Sequence, residues 1–147
     1  MKHTIYFFLI LFGINTIPCK ADNTSMSPIL SDAIKIMDMV ENEYEQEIVR
    51  MEFDIIKDKK STYRTLTNKY TYGIIAFGDY RVKDIDIKVY KWVNNDWRLI
   101  EKDVDTDCRA AVSITPSYTE QYKIEISVYQ FEEGYSAAHY GLIIFHK

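Results

Sequence analysis

Hydrophobic positions follow two rhythms along the chain, and the change falls near Met51. Before it, Leu30, Ala33, Ile34, Met37, Val40, Tyr44, Ile48 and Met51 recur at steps of three and four residues. Asp32, Lys35, Asp38, Asn42, Glu43, Glu45 and Glu47 fall largely between them, and Ile36 and Met39 widen the apolar stripe. That spacing predicts one amphipathic helix over 28–51, about six turns long. Ser27 stands where an N-cap belongs, and Pro28 occupies the first turn, where its missing N–H costs nothing. A stripe this broad suits packing on a sheet; the other use for such a helix is to bind a partner or a second copy.

After Met51 the period drops to two. Phe53 and Ile55 alternate with Glu52 and Asp54, and Asp58-Lys59-Lys60-Ser61 reads as a turn. Short runs follow at 62–66, 70–77, 84–93, 97–102, 109–115, 121–131 and 139–146, separated by Thr67-Asn68-Lys69, Gly78-Asp79, Asn94-Asn95-Asp96, Pro116 and Glu132-Glu133-Gly134. Ile85, Ile87 and Val89 take one face against Asp84, Asp86 and Lys88. Tyr122, Ile124, Ile126 and Val128 do the same against Lys123, Glu125 and Ser127. Seven or eight strands without helices between them predict a mainly β, antiparallel sandwich or barrel over 52–147. A parallel sheet would need crossovers of a dozen or more residues, and there is no room for them. No fixed repeat period occurs, which excludes solenoids and propellers.

The N-terminus carries a different signal. Lys2 and His3 precede an apolar run from Thr4 to Pro18, and Cys19-Lys20-Ala21 places small residues at −3 and −1 of a cut after Ala21. This is the pattern of a secretory signal peptide over 1–21, and the run is short for a membrane span. A lipoprotein anchored at Cys19 is the alternative, although Pro18 stands where a small residue is wanted. Residues 22–27 are polar and are expected to form a disordered lead-in. The expected location is secreted or periplasmic, with no transmembrane span in the mature chain. Cys108 then has no partner within that chain, and burial as an inert thiol is the favoured expectation.

Composition narrows the function further. Of 147 residues, 47% are hydrophobic and 14% aromatic, with Tyr 12 against Gly 5 and Pro 3, so a folded core is expected and a low-complexity chain is excluded. The formal charge is −4. Taking Lys2 and Lys20 from the 18 basic residues leaves 16 against 22 acidic ones, a net of −6 after leader removal. Nucleic acid is therefore excluded as a general partner, since its phosphates require a basic face. Two cysteines make neither a disulfide scaffold nor a cysteine-rich zinc site.

Several segments together resemble a known family. They are Tyr70-Thr-Tyr-Gly-Ile-Ile-Ala-Phe-Gly-Asp79, Val82-Lys-Asp84-Ile-Asp86-Ile-Lys-Val-Tyr90, Asp103, Val112-Ser-Ile-Thr-Pro116 and Tyr122-Lys-Ile-Glu-Ile126. From Tyr63 onward the chain resembles the bacterial pre-peptidase C-terminal domain (PPC-like) and its stand-alone exported relatives, leaving the helix unmatched. It departs from them in its glycine-poor turns, with Asn94-Asn95-Asp96 where Asp-Gly is usual. The resemblance implies a jelly-roll-like β-sandwich in an exported bacterial protein. It implies an accessory module, in some cases binding calcium or an extracellular polymer, and the service to an attached protease does not carry over.

Two groups of residues are candidates for function. Asp103, Asp105 and Asp107 alternate as calcium-binding carboxylates do, and Asp84 and Asp86 could join them at one end of the sandwich. Calcium is the cofactor such a cluster would take, though Cys108 and Ile114 stand where an EF-hand requires Gly and Glu. Tyr90, Trp92, Trp97 and Tyr129 are candidates for a binding platform, Trp92 and Trp97 being also suited to covering a sheet face. Catalytic chemistry has little to draw on. Only His139 and His146 remain beyond the leader, and neither has a Ser or Cys in a nucleophile pattern. Expected, then, is an exported, non-enzymatic module binding a protein partner or a polysaccharide. The alternative is a small carboxylate-dependent hydrolase or an enzyme inhibitor.

Overall fold

The structure, a computed structural model, describes residues 25–147; the expected leader over 1–21, with Cys19, and lead-in residues 22–24 lie outside the described residues. Helix α1 (Ser27–Asp38) is followed by a π-helical turn at Met39–Glu43. Eight strands come next: β1 (Glu47–Ile56), β2 (Lys59–Leu66), β3 (Tyr72–Gly78), β4 (Val82–Val93), β5 (Asp96–Asp103), β6 (Arg109–Ile114), β7 (Glu120–Phe131) and β8 (Ala138–His146). They form two four-stranded antiparallel sheets, ordered β1-β8-β3-β6 and β2-β7-β4-β5. Only the β4–β5 hairpin keeps consecutive strands in one sheet; every other connection crosses the sandwich. Asn94 and Asn95 turn that hairpin at φ 53 and 62, a left-handed pair that asparagine tolerates without glycine.

Alternation builds the core between the sheets. Ile85, Ile87 and Val89 of β4 and Ile124 and Ile126 of β7 are fully buried, facing Ile74 of β3 and Ile144 of β8 in one cluster. β8 departs from alternation because both of its faces are covered. Tyr140, Leu142 and Ile144 point into the sandwich, while Ile143 and Phe145 join Ile29, Ala33, Ile36 and Val40 of the helical segment in a second core. Gly141 lies in this strand under the Phe77 ring, where a Cβ would collide with the ring's Cζ.

The helical segment is shorter than the apolar spacing predicts, and its buried stripe keeps Ala33, Ile36 and Val40 of the expected one but takes Ile29 in place of Leu30 and Ile34. Leu30 and Ile34 are 43% and 66% exposed, whereas Ile29, Ala33, Ile36 and Val40 are buried. Glu45 has a left-handed φ of 53, which ends the helical path, and residues 47–51 belong to β1 rather than to a helix. Ile48 and Met51 nevertheless meet the same cluster of buried residues under α1. A bulge between Ile48 and Arg50 adds one residue to the strand, so side chains three apart reach one face and imitate a helical period. The helix also starts one residue earlier than expected, with Ser27 inside it and its N–H donating to Ser25 Oγ at 3.1 Å. Among the described residues no helix is long and apolar enough to cross a membrane.

One polar cluster is buried where the chain changes sheets. Asp79, in the β3–β4 turn, is 2% exposed; Arg81 donates to both of its carboxylate oxygens, from Nε at 3.1 Å and from Nη2 at 2.5 Å. The Arg81 and His139 N–H groups donate to the same carboxylate at 3.0 and 3.2 Å. Arg81 Nη2 also lies 2.9 Å from His139 Nδ1, and since a guanidinium offers only donors, Nδ1 is the acceptor in this contact. Burial alone would raise the Asp79 carboxyl, but the Arg81 hydrogen bonds, the two backbone donors and the Arg81 charge hold it below the usual carboxylate range.

Asp79→Asn leaves Arg81 buried without its counter-charge and should cost about 3–5 kcal/mol, read as a lowered urea midpoint. Gly141→Ala should cost about 1–3 kcal/mol through overpacking against Phe77. Because the folded Asp79 pKa is depressed, its contribution is complete above the ordinary carboxylate range and is lost as pH falls through the depressed value. Stability measured against pH below about 4 should therefore fall less steeply in Asp79→Asn than in the parent.

Candidate functional site

The outward face of the β1-β8-β3-β6 sheet carries the helical segment, which seals part of it with Phe77, Ile75 and Phe145. The outward face of the β2-β7-β4-β5 sheet carries no such cover among the described residues. On β4 it shows Asp86, Lys88, Tyr90 and Trp92; the facing positions are Lys123, Glu125 and Ser127 on β7 and Leu99 and Trp97 on β5. The candidate residues fall into two groups at opposite ends of this face.

The first group is aromatic. Trp92 and Trp97 are cross-strand partners beside the Asn94-Asn95 turn, with ring centroids 5.1 Å apart in an edge-to-face arrangement. Tyr63, which the pattern of its own strand does not single out, adds a third ring 5.5 Å from Trp97. Tyr63 and Trp97 stand on the two edge strands, about 14 Å apart at three strand spacings, so both side chains lean inward over the central strands. Trp92 is 48% exposed, and a hollow of about 530 Å³ opens beside both tryptophans, closed on its far side by Glu120 and Gln121. The Tyr122 hydroxyl donates to Glu120 Oε1 at 3.0 Å, which orients that carboxylate. Burial, with the Glu120 hydrogen bond and charge adding to it, pushes the Tyr122 hydroxyl up to about 12, so it stays protonated and a donor.

Tyr90 is not part of this open group. Its ring lies 4.6 Å from Lys123 Nζ, and its hydroxyl donates to Glu125 Oε1 at 3.3 Å. Lys123 in turn pairs with Glu125 at 3.1 Å. The three side chains form a locked polar band across the middle of the face. Tyr129 is 77% exposed but lies eight residues along β7 from Gln121, about 27 Å in an extended strand, so it belongs to the far end.

That far end is acidic. Asp84 and Asp86 line a hollow of about 290 Å³ with Val104, Thr106 and Tyr129. Asp84 sits in a bulge against β7 and is 4% exposed. Asp103, Asp105 and Asp107 do not gather around this hollow as ligands. Asp103 uses both carboxylate oxygens on backbone donors, Asp105 N at 3.1 Å and Ala111 N at 2.8 Å, and Asp107 Oδ1 accepts from Arg109 N at 3.2 Å. The alternating aspartates thus shape the β5–β6 loop through side chain-to-backbone bonds, the habit that makes Asp a turn residue. Among the described residues no group of three or more His, Cys, Asp or Glu side chains is arranged to hold a metal ion. Calcium takes six to eight oxygens, so Asp84 and Asp86 would leave most of its shell to backbone carbonyls and waters.

The remaining chemical candidates are engaged. His139 is buried in the Asp79–Arg81 cluster, and His146 stacks on Tyr70 with ring centroids 3.8 Å apart. Cys108 is half-buried rather than fully buried. Burial raises its thiol, helped by Asp107, and a raised thiol is a poor nucleophile. Tyr63, Glu120 and Gln121 could have been found only from the register of β2 and β7, which lies outside what local alternation reports.

No protein-family model matches the chain, and no curated protein matches it. Solved structures with a related shape include the Yersinia pseudotuberculosis-derived mitogen, at 16% identity over 67% of this chain and 85% of that one, with a TM-score of 0.43. A periplasmic inhibitor of g-type lysozyme from Aeromonas hydrophila matches at 11% identity over 67% and 85%, with a TM-score of 0.40. A structure described as "CBM4 structure and function" matches at 12% identity over 73% and 83%, with a TM-score of 0.41. The chain is similar to all three in the broad course of its strands.

Proposed function

We propose that the protein is an exported, non-enzymatic binding module of jelly-roll form that holds a neutral polysaccharide on the open face of its β2-β7-β4-β5 sheet. The sheet orders β1-β8-β3-β6 and β2-β7-β4-β5, with chain crossings at every connection but one, support the jelly-roll description. Export rests on the leader pattern over 1–21. Kinship with PPC-like domains is part of the same proposal, and rests on the strand ending at Gly78-Asp79 and on the Asp84–Asp86 strand.

The observation that carries the proposal is the run of three rings, Tyr63–Trp97–Trp92, in edge and tilted contact beside an open hollow. A sugar ring has apolar C–H faces and a polar rim of hydroxyls. Aromatic faces take the former, and a fixed carboxylate and amide, Glu120 and Gln121, can take the latter. The hollow's volume lies within the range of small-ligand sites, about 300–1,000 Å³. Large aromatic area that stays exposed on a folded protein is unfavourable unless something covers it. A polyanion suits this end poorly, because Glu120 is the one charged residue lining the hollow among the described residues. Its carboxylate repels negative charge and accepts hydrogen bonds from neutral hydroxyls.

Affinity electrophoresis through gels containing soluble neutral polysaccharides, guided by a glycan array, tests this. At least one polymer should retard the parent protein, and Trp92→Ala and Trp97→Ala should each weaken binding roughly tenfold or more, while Tyr129→Ala leaves it unchanged. Equal retardation of the tryptophan variants, or hydrolysis of the polymer by the parent, overturns the reading.

A further inference from the structure

We propose that the acidic hollow at the other end of the face is a receptor for an arginine side chain of a partner protein. Its floor holds Asp84, whose Oδ1 is buried and finds no hydrogen-bond donor. A buried carboxylate oxygen without a donor is costly, and natural structures leave few of them. None of the described residues supplies that donor. Asp86 lies beside it on the same strand and supplies a second carboxylate.

Charge selects the class of donor. Burial, then the neighbouring Asp84 and Asp103 charges, raise the Asp86 carboxyl above the ordinary carboxylate range against the opposing pull of Lys88. An arriving cation relieves that repulsion. Shape and ligand supply then choose among cations. Among the described residues no three carboxylates are grouped to hold a metal ion, and Asp103 already accepts backbone donors on both oxygens. A guanidinium needs less. Its planar fork matches a carboxylate, it is weakly hydrated, and it stacks on aromatic faces. Tyr129 offers such a face at the rim, 77% exposed, while Val104 and Thr106 line the opposite loop against an aliphatic stem. The chain's net charge of −4 adds long-range attraction for a basic partner.

The test uses the full described chain, isotope-labelled, and three peptides identical except for one central residue: arginine, lysine or citrulline. Citrulline keeps the arginine shape without the charge. The arginine peptide should shift the amide signals of Asp84, Asp86 and Tyr129 saturably, and more tightly than the lysine peptide. Asp86→Asn should weaken that binding roughly tenfold, as expected for a charged hydrogen bond. Tyr129→Ala should weaken it several-fold; Tyr129→Ala should melt as the parent does, and Asp86→Asn, relieved of the repulsion from Asp84, no lower than the parent. Equal binding of the citrulline peptide removes the charge argument and overturns the proposal. So does equal binding of the lysine peptide, or saturation of the same signals by calcium chloride alone. Because the aromatic end lies about 27 Å away, failure here leaves polysaccharide retention by Trp92 and Trp97 unaffected, and the reverse holds as well.

Discussion

The Asp79 carboxylate stands where the chain crosses between the sheets twice, once from β3 to β4 and once from β7 to β8. Arg81 ties the first crossing internally, and through its carbonyl accepts the Glu132 N–H of the second at 2.9 Å. Asp79 N donates to the His139 carbonyl at 3.1 Å, so the two crossings are stitched by backbone as well as by side chain. A buried charge of this kind adds little net stability over an apolar replacement, but removing one partner leaves the other buried and uncompensated, so the contacts stand or fall together. Outside the cluster, Tyr80 meets Tyr135 edge-on at 5.9 Å and lies under the Arg81 guanidinium. The turn and the long β7–β8 connection thereby hold one another, and β8 enters the middle of its sheet in a single register.

That placement of β8 decides which surface is free. As a central strand with apolar side chains on both faces, it needs cover on two sides, and the second cover comes from the helical segment. Part of one outer face of the sandwich is consequently spent on packing. The other consists of strands whose outward positions are Lys, Glu, Ser and Tyr, and it stays open. Among the described residues, structural demand on one sheet thus leaves the whole outer face of the other uncovered.

The strands whose faces differ in polarity were legible from sequence. β4 and β7 alternate cleanly because one side is wet, and Asn94-Asn95 marks the β4–β5 hairpin because asparagine enters the left-handed region. Where both faces are buried, as at Leu142 and Ile143 of β8, alternation carries no phase information. The helix end escapes the apolar pattern for a related reason: the bulge at Ile48–Arg50 gives a strand the three-residue step of a helix. The aspartates are ambiguous in sequence through their chemistry, since the same side chain that ligates calcium also caps loop N–H groups, as Asp103 does here. Tyr63 and Trp97 stand on opposite edges of a sheet, far apart in the chain, so their contact follows from topology alone.

The two ends of the open face differ in kind, and the Tyr90–Lys123–Glu125 band explains how they coexist. Lys123 is held between a carboxylate and an aromatic ring, so it neither neutralises the acidic hollow nor reaches the tryptophans. Burial, with Glu125 adding charge and accepting its hydrogen bond, keeps the Tyr90 hydroxyl protonated by raising it. The band is therefore neutral overall and internally paired, offering little to a ligand from either side. Beyond the band the face carries Asp84, Asp86 and Lys88 at one end and the apolar area of Trp92, Trp97 and Tyr63 at the other. Two such ends, separated by an internally paired stretch of sheet, keep the proposed polymer and arginine sites physically independent of one another.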